Sequence, residues 1–223
     1  MTDKRIVLAL LGIAAVLLAA GNALAQDRFF AEGQGLGLFA GYHSSEWFDG
    51  PVVQADYAFA GAWAVGFAVA NHNYDGPRAD SWNIIELTPS LAWTLVRADG
   101  LSAYGCDLVA SCAFEDEEIN VPTQAGFART VTLRGRQVVA GFDLHFPVPA
   151  GRTVLVHPGF GLGYARRYLS ASTADDWYSE GEFVYWARCS LVVSGRVTLE
   201  PTYRSAYNGG LWSISAGVLL PTS

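Results

Sequence analysis

The sequence predicts an all-β fold: a single antiparallel up-and-down transmembrane β-barrel, with ten strands favoured and eight as the alternative. Ten stretches alternate between bulky apolar residues and small or polar residues, as strands do when one face meets lipid and the other a lumen. Tight turns and longer loops alternate between these stretches, matching the short periplasmic turns and longer outer loops of such barrels. No uninterrupted apolar run of 18 residues follows residue 25, which excludes transmembrane helices.

The start of the chain has the features of a secretory signal peptide. The basic residues Lys4 and Arg5 precede an uncharged apolar segment, and an A-x-A cleavage site ends at Ala25. The alternative, an uncleaved anchor helix, needs about 20 apolar residues, more than this segment provides. We therefore expect residues 1–25 to be a signal peptide cleaved after Ala25 and residues 26–223 to form one outer-membrane β-barrel domain.

The first five predicted strands span residues 34–44, 52–60, 63–74, 82–95 and 101–113. Their apolar faces carry, in order, Leu36, Leu38 and Tyr42; Val53, Tyr57 and Phe59; Trp63, Val65 and Phe67; Ile85, Leu87 and Leu91; Tyr104, Cys106 and Leu108. Their other faces carry Gly37, Gly41 and His43; Gln54 and Asp56; Ala64 and Gly66; Glu86 and Thr88; Asp107 and Ser111. Because successive side chains point to opposite faces of a strand, each stretch is expected to cross the membrane once.

The other five predicted strands span residues 134–146, 153–168, 182–194, 196–206 and 211–220. Their apolar faces carry, in order, Val138, Phe142 and Leu144; Val154, Phe160 and Leu162; Phe183, Tyr185 and Leu191; Val197, Leu199 and Tyr203; Trp212, Ile214 and Val218. Their other faces carry Gln137, Gly141 and Asp143; His157, Gly159 and Gly161; Trp186, Arg188 and Ser190; Thr198, Glu200 and Arg204; Ser213, Ser215 and Gly217. An even strand number places both termini in the periplasm.

The connections between strands fall into two classes. Tight turns are predicted at 61–62, 97–100, 149–152 and 194–196, and longer loops at about 45–51, 75–81, 114–133, 170–181 and 207–210. Three prolines, Pro89, Pro158 and Pro201, lie inside predicted strands, where proline lacks a donor for the ladder. We expect local bulges or bends at these positions.

Composition excludes several classes of function. The formal net charge is −7 and no lysine follows Lys4, so a basic surface for nucleic acid is not expected. The three cysteines, Cys106, Cys112 and Cys189, cannot all pair within one chain, and their spacing fits no zinc pattern. We expect lipid-facing free thiols, with no metal and no cofactor.

A soluble secreted barrel is the alternative fold. It would hold the apolar faces inside and the other faces in water, where charges would be frequent. Those other faces are mostly Gly, Ala, Ser and Thr with isolated ionisable groups, which suits a crowded lumen better than a wetted surface. Aromatic residues near predicted strand ends also fit interfacial girdles. The sequence therefore favours the membrane barrel.

The inward faces carry a set of charged residues that predicts a lumen charge cluster. It is built around Asp56, Glu86, Arg188, Glu200 and Arg204. Charges in a narrow lumen must pair or be hydrogen-bonded, because uncompensated burial is costly. We favour a polar plug that satisfies the interior, and a gate or selectivity element stays open as the functional alternative.

The predicted loop at 114–133 is acidic. It contains the run Glu115, Asp116, Glu117 and Glu118. We interpret this acidic outer loop as a solvated rim. Divalent-cation bridging to lipopolysaccharide phosphates, or contact with a ligand or host surface, is the functional alternative.

Asp143 and His145 form an Asp-x-His pair on one face of a predicted strand. In these two residues the chain is similar to the ten-stranded outer-membrane proteases, whose active groups lie at the outer rim. Here the pair lies near the periplasmic end of its strand, next to a predicted turn. We therefore favour a structural role for both residues.

Outer-rim residues offer a second enzyme hypothesis. His43 and Ser44 end the first predicted strand, and Asp80 and Ser81 end the second outer loop. Lipid A palmitoyltransferases place a His, an Asp and a Ser on outer loops, where an Asp-activated His can raise the nucleophilicity of Ser. The sequence leaves a lipid A-modifying, acyltransferase-like enzyme open as the alternative function.

The mature chain resembles the small outer-membrane β-barrel families, the OmpA-type and the opacity- or adhesin-type porin-like proteins. The alternation carries the resemblance, together with Gly35-x-Gly37 and the run Leu-Phe-Ala-Gly-Tyr at 38–42. It implies a non-enzymatic protein of the bacterial outer membrane that serves envelope structure, surface contact or limited small-solute passage. The implied partners are outer-membrane lipid, lipopolysaccharide, periplasmic chaperones and the barrel-insertion machinery.

Overall fold

A computed structural model of the chain describes residues 34–46, 48–59, 62–74, 82–96, 104–122, 128–171, 178–206 and 209–221. Within these ranges the chain forms eleven strands of one antiparallel sheet. They are β1 (Gly35–Ser44), β2 (Phe48–Phe59), β3 (Trp63–Tyr74), β4 (Trp82–Val96), β5 (Gly105–Pro122), β6 (Ala128–His145), β7 (Val148–Pro149), β8 (Val154–Ala171), β9 (Tyr178–Val193), β10 (Val197–Ala206) and β11 (Gly209–Pro221). Among the described residues, no helix is long and apolar enough to cross a membrane.

The sheet closes into a barrel because its first and last strands pair. Strand β1 pairs with β2 on one side and β11 on the other, and Gly35 lies opposite Pro221 in register. Strand β6 pairs directly with β8, while β7 is a two-residue strand that pairs only with the start of β8. Ten strands therefore form the wall, as the sequence predicts, and the eight-strand alternative is wrong.

The two ends of the barrel differ in their connections. The turn end holds Gly35 and Pro221 and the connections after β2, β4, β6, β7 and β9; the loop end holds the other five connections. The predicted loop at 114–133 is wrong, because β5 continues to Pro122 and β6 begins at Ala128. Beyond the lipid layer a strand needs no apolar outer face, so the alternation fades there although the backbone ladder continues.

The strand register does not shift at the three prolines where the sequence predicts bulges or bends; it shifts elsewhere. Pro89 and Pro201 keep the register of their neighbours Phe67 and Ile214, and Pro158 likewise lies opposite Cys189 without a shift. The shift lies between Thr94 and Val96, at the turn end of β4. A proline can remain in a strand where its missing donor faces a gap in the ladder, so no bulge is required.

The barrel is apolar outside and polar inside. Large exposed apolar side chains occupy every full-length strand and follow the outward alternation, for example Phe67, Leu91, Phe142, Leu162 and Ile214. The buried polar side chains are Asp56, His72, Asp107, Asp143, His145, His157, Arg188, Ser190 and Thr198. This distribution is the reverse of a soluble barrel, so the soluble alternative is wrong.

Glycines on the inward faces give room for large side chains that cross the lumen. A Cβ at Gly161 would collide with the indole of Trp186, and one at Gly105 would collide with the His145 ring. A barrel of this width is filled by its own side chains when neighbouring positions alternate between small and large residues. The glycine content of the inward faces is therefore a packing requirement.

Candidate functional site

A buried charge layer, consisting of Asp143, Trp186, Arg188, Ser190 and Glu200, covers the inner wall formed by β6, β8, β9 and β10 towards the turn end. Arg188 Nη2 donates to Asp143 Oδ2 at 2.5 Å, and both side chains are almost fully buried. The same carboxylate accepts a hydrogen bond from Trp186 Nε1 at 2.7 Å. Glu200 Oε2 lies 3.7 Å from Arg188 Nη1 and accepts a hydrogen bond from the Ser190 hydroxyl. Charges of both signs thus compensate each other in this layer.

The glycines of β8 explain how residues two strands apart meet. Strand β8 lies between β6, which carries Asp143, and β9, which carries Trp186 and Arg188. In register, Gly161 lies between Asp143 and Trp186, and Gly159 lies beside Arg188. With no side chain on β8 at these two positions, the indole and the guanidinium can extend over the strand to the carboxylate.

A turn-end histidine cluster lies next to the charge layer. His145 Nδ1 and His157 Nε2 are 2.7 Å apart and share a hydrogen bond. His145 Nε2 lies 3.7 Å from Asp107 Oδ2, and all three side chains are buried. The Asp-x-His pair of the sequence is therefore divided, because Asp143 binds Arg188 while His145 binds His157 and Asp107. Buried at the turn end, the two residues do not lie at an outer rim.

An apolar cluster fills the lumen beside these polar groups. Phe39, Val192 and Leu219 bury one another there, and Leu155 packs against them. The three side chains come from β1, β9 and β11, and all point inward. This cluster therefore fills part of the lumen at the turn end.

Two adjoining cavities remain above this filled region. The middle cavity, about 300 Å³, is lined by Asp56, Trp186, Arg188 and Glu200 among others. The upper cavity, about 270 Å³, is lined at the loop end by residues that include Glu86 and Arg204. The two cavities share wall residues, so together they follow the axis of the barrel.

The upper cavity is surrounded by ionisable side chains with defined contacts. His72 Nε2 lies 3.6 Å from Glu86 Oε2, and the His72 ring stacks on His43 with centroids 5.3 Å apart. Thr88 donates a hydrogen bond to Glu86 at 2.6 Å. From the opposite wall, Arg204 Nη2 donates to Gln137 at 2.8 Å, and Arg167 pairs with Glu115 at 3.1 Å.

The five residues predicted to form one lumen charge cluster all lie on inward faces, but they do not form a single cluster. Arg188 and Glu200 belong to the buried charge layer. Glu86 and Arg204 line the upper cavity, and Asp56 accepts a hydrogen bond from Gln54 Nε2 at 2.6 Å. Asp56, Arg188 and Glu200 line the middle cavity and Glu86 and Arg204 line the upper one, so the five residues are divided between two adjoining cavities.

The prediction that the acidic residues form an outer loop is also wrong. Glu115, Asp116, Glu117 and Glu118 lie within β5, not in a loop. Glu115 points into the lumen and pairs with Arg167, while Asp116 is exposed on the outer side. The alternation of the strand therefore places Glu115 and Asp116 on opposite faces.

Within the described residues, the side chains that the enzyme hypotheses require are not brought together in one site. His43 faces the lumen and Ser44 faces outward, because adjacent residues of a strand point to opposite faces. Asp80 and Ser81 lie outside the described residues. No group of three or more His, Cys, Asp or Glu residues in the described part of the chain is suited to holding a metal ion.

The three cysteines are free, with Cys189 exposed on the outer face.

Sequence reasoning missed the partners that complete these groups. It placed Trp186 and His157 on inward faces but assigned no contact to either. The available signal was the pair of β8 glycines, Gly159 and Gly161, which precede a strand carrying two long inward side chains.

The barrel is similar to solved structures of outer-membrane proteins. The translocator domain of the autotransporter NalP from Neisseria meningitidis matches with a TM-score of 0.60 and 12% identity, over 98% of this chain and 96% of that chain. The β domain of the Bordetella autotransporter BrkA gives a TM-score of 0.47 and 13% identity, over 83% and 97%. Ail, the attachment invasion locus protein of Yersinia pestis, gives 0.37 and 10%, over 83% and 99%. No family model and no curated protein matches the sequence. The first similarity confirms the predicted fold class, an outer-membrane β-barrel.

Proposed function

We propose that this chain is a non-enzymatic outer-membrane barrel with a closed lumen, which serves envelope structure and surface contact. The buried charge layer carries the proposal. Asp143, Arg188 and Glu200 hold one another over the inner wall of β6, β8, β9 and β10, and the apolar cluster of Phe39 and Leu219 fills part of the lumen on the turn-end side. Together these side chains narrow the path that a solute would have to follow.

The cost of displacement supports closure over limited small-solute passage. Arg188 and Asp143 are almost fully buried, so separating them removes the 2.5 Å contact that compensates two charges held away from water. Barrels with an open aqueous channel are much wider than ten strands. Closure by a paired charge layer also accounts for the polar inward residues without assigning them a catalytic role.

Conductance in planar bilayers tests this proposal. We expect no conductance steps from the wild-type barrel. Replacing Arg188 and Phe39 together with alanine should produce steps, because the substitutions remove one side chain from the charge layer and one from the apolar cluster. Replacing Arg167 and Glu115 with alanine is the matched control, since this pair lies in the upper cavity. Conductance steps from the wild-type protein would contradict closure. The folding of each variant is checked by the change in its gel mobility between unheated and heated samples.

Location and processing follow from the same proposal. The chain would be secreted, cleaved after Ala25, escorted by periplasmic chaperones and inserted by the barrel-insertion machinery among outer-membrane lipid and lipopolysaccharide. The apolar outer face of the barrel supports this environment. Sequencing of the protein extracted from outer membranes should begin at Gln26. A protein that retains residues 1–25 would contradict the cleavage.

Lipid A modification is the alternative from a different functional class. Among the described residues no observation favours it, because His43 faces the lumen and Ser44 faces outward. Mass spectrometry of lipid A from overexpressing cells separates the two functions. An altered acylation pattern that disappears with His43→Ala would replace the non-enzymatic proposal.

A further inference from the structure

The upper cavity is a built site rather than a gap between strands. Its wall holds His72, which is 6% exposed, and His43, whose ring stacks on it. Neither ring nitrogen of His72 has a hydrogen-bond partner among the described residues, nor does Nδ1 of His43. A buried polar atom without a partner is costly, and such atoms at a cavity are suited to receive a polar ligand.

The charges of this cavity balance. Two carboxylates, Glu86 and Glu115, and two guanidinium groups, Arg167 and Arg204, line its wall. Among the described lining residues these four charges cancel, so a ligand carrying one uncompensated charge would bring that charge into a narrow lumen. Because burying an unpaired charge is expensive, the cavity favours a ligand that is neutral overall.

The charges are also separated in space. Glu86 lies on β4 and Arg204 on β10, and five strand steps separate β4 from β10 in either direction around the wall. The two side chains therefore line the cavity from opposite walls. A field directed across the cavity orients a molecule that carries both signs of charge.

We propose that the upper cavity binds a zwitterionic molecule of amino-acid size. Its ammonium group contacts the Glu86 carboxylate, and its carboxylate contacts the Arg204 guanidinium. Glu86 keeps acceptor capacity beyond its contacts with His72 and Thr88, and the planar guanidinium of Arg204 carries five donors, more than one acceptor can use. The imidazole nitrogens supply further hydrogen bonds to polar atoms of the ligand. The site is independent of the proposed closure, because it lies on the loop-end side of the charge layer.

Isothermal titration of the full barrel in detergent micelles tests the site. The probes are L-alanine, L-glutamine and L-phenylalanine, three zwitterions whose side chains increase in size. We expect at least one to bind with a Kd at or below about 1 mM. The methyl ester of that amino acid lacks the negative charge and its N-acetyl derivative lacks the positive charge. Each should bind at least about tenfold more weakly, since each loses a charged hydrogen bond.

Two variants assign the contacts to their residues. Glu86→Gln and Arg204→Gln should each weaken the zwitterion at least about tenfold. Arg204→Gln should leave the binding of the methyl ester unchanged, because the ester has no carboxylate to lose. Glu46→Gln and Arg166→Gln are matched controls on exposed residues and should bind as the wild type does.

Three outcomes would overturn the site. None of the three amino acids binds; or one binds but its ester and N-acetyl derivative bind equally well; or binding survives both Glu86→Gln and Arg204→Gln. Heat-modified mobility establishes that each variant is folded, so a lost signal reports on the contact and not on a collapsed barrel.

Discussion

Replacement of Asp143 with alanine is expected to destabilise the barrel strongly. The Asp143 carboxylate accepts hydrogen bonds from Trp186 Nε1 at 2.7 Å and from Arg188 Nη2 at 2.5 Å. Alanine removes both acceptors and leaves the Arg188 guanidinium buried. The nearest remaining carboxylate is Glu200, with an oxygen 3.7 Å from Nη1.

The magnitude follows from the burial of the pair. Removing one partner of a buried ion pair costs about 3–5 kcal/mol, since the other charge is left uncompensated. The indole N–H of Trp186 loses its acceptor as well, and an unsatisfied buried donor costs about 1–3 kcal/mol. The two terms share one cavity and are not additive, so we expect a total loss of about 4 kcal/mol. Such a loss is a large part of a typical folding free energy of about 5–15 kcal/mol.

Equilibrium unfolding in guanidinium, followed by tryptophan fluorescence in lipid vesicles, measures this loss. The charge effect is isolated by a double variant, Asp143→Ala with Arg188→Met, which removes the orphaned charge along with its partner. This double variant should recover most of the free energy of unfolding. Asp49→Ala is the control, because Asp49 accepts a hydrogen bond from the exposed Tyr42 hydroxyl and contributes little.

Two results would refute this account of the layer. If Asp143→Ala costs less than about 1 kcal/mol, the carboxylate does not compensate a buried charge. If the double variant is as unstable as Asp143→Ala, the loss comes from packing around the removed side chain and not from the unpaired guanidinium.

Three further expectations concern packing, orientation and the loop-end ion pair. Gly161→Ala should displace the Trp186 indole, lower the free energy of unfolding by about 1–3 kcal/mol and shift the tryptophan emission; an unchanged spectrum would contradict the close approach. In a variant without the other two cysteines, a fluorophore on Cys189 should be quenched by lipids brominated on their acyl chains, because this thiol lies on the apolar outer face; quenching only by a water-soluble agent would reverse that face. Glu115→Gln should change the free energy of unfolding by less than about 1 kcal/mol, because its pair with Arg167 is partly exposed; a larger loss would place this pair in the essential packing of the lumen.

The alternation along each strand was sufficient to predict the strand number and both faces of the barrel. It placed Phe67 and Leu91 outside and Asp143 and Arg188 inside, and the structure agrees. A period of two residues is a local property, so it can be counted without knowing which strands pair. The ends of β5 and β6 were missed because the same signal disappears where a strand leaves the lipid.

Contacts across the lumen could not be predicted in the same way. Asp143 meets Arg188 because β8 contributes two glycines at the intervening positions, a coincidence of register across three strands. Glu86 and Arg204 face each other because their strands are half a circumference apart. The first relation depends on the register of three paired strands and the second on closure of the barrel, and a list of inward residues contains neither.

Buried polar atoms without a hydrogen-bond partner occur at both ends of the described lumen. At the turn end, Arg188 binds Asp143 and Glu200, yet Arg188 Nη1 and Asp107 Oδ1 have no hydrogen-bond partner among the described residues. At the loop end, ring nitrogens of His43 and His72 lack one as well, and both rings line the upper cavity. Buried polar groups that are not needed by the fold are expensive to keep. The upper cavity differs because it places such atoms beside Glu86 and Arg204 on opposite walls, and this combination is the reason for placing the proposed binding there.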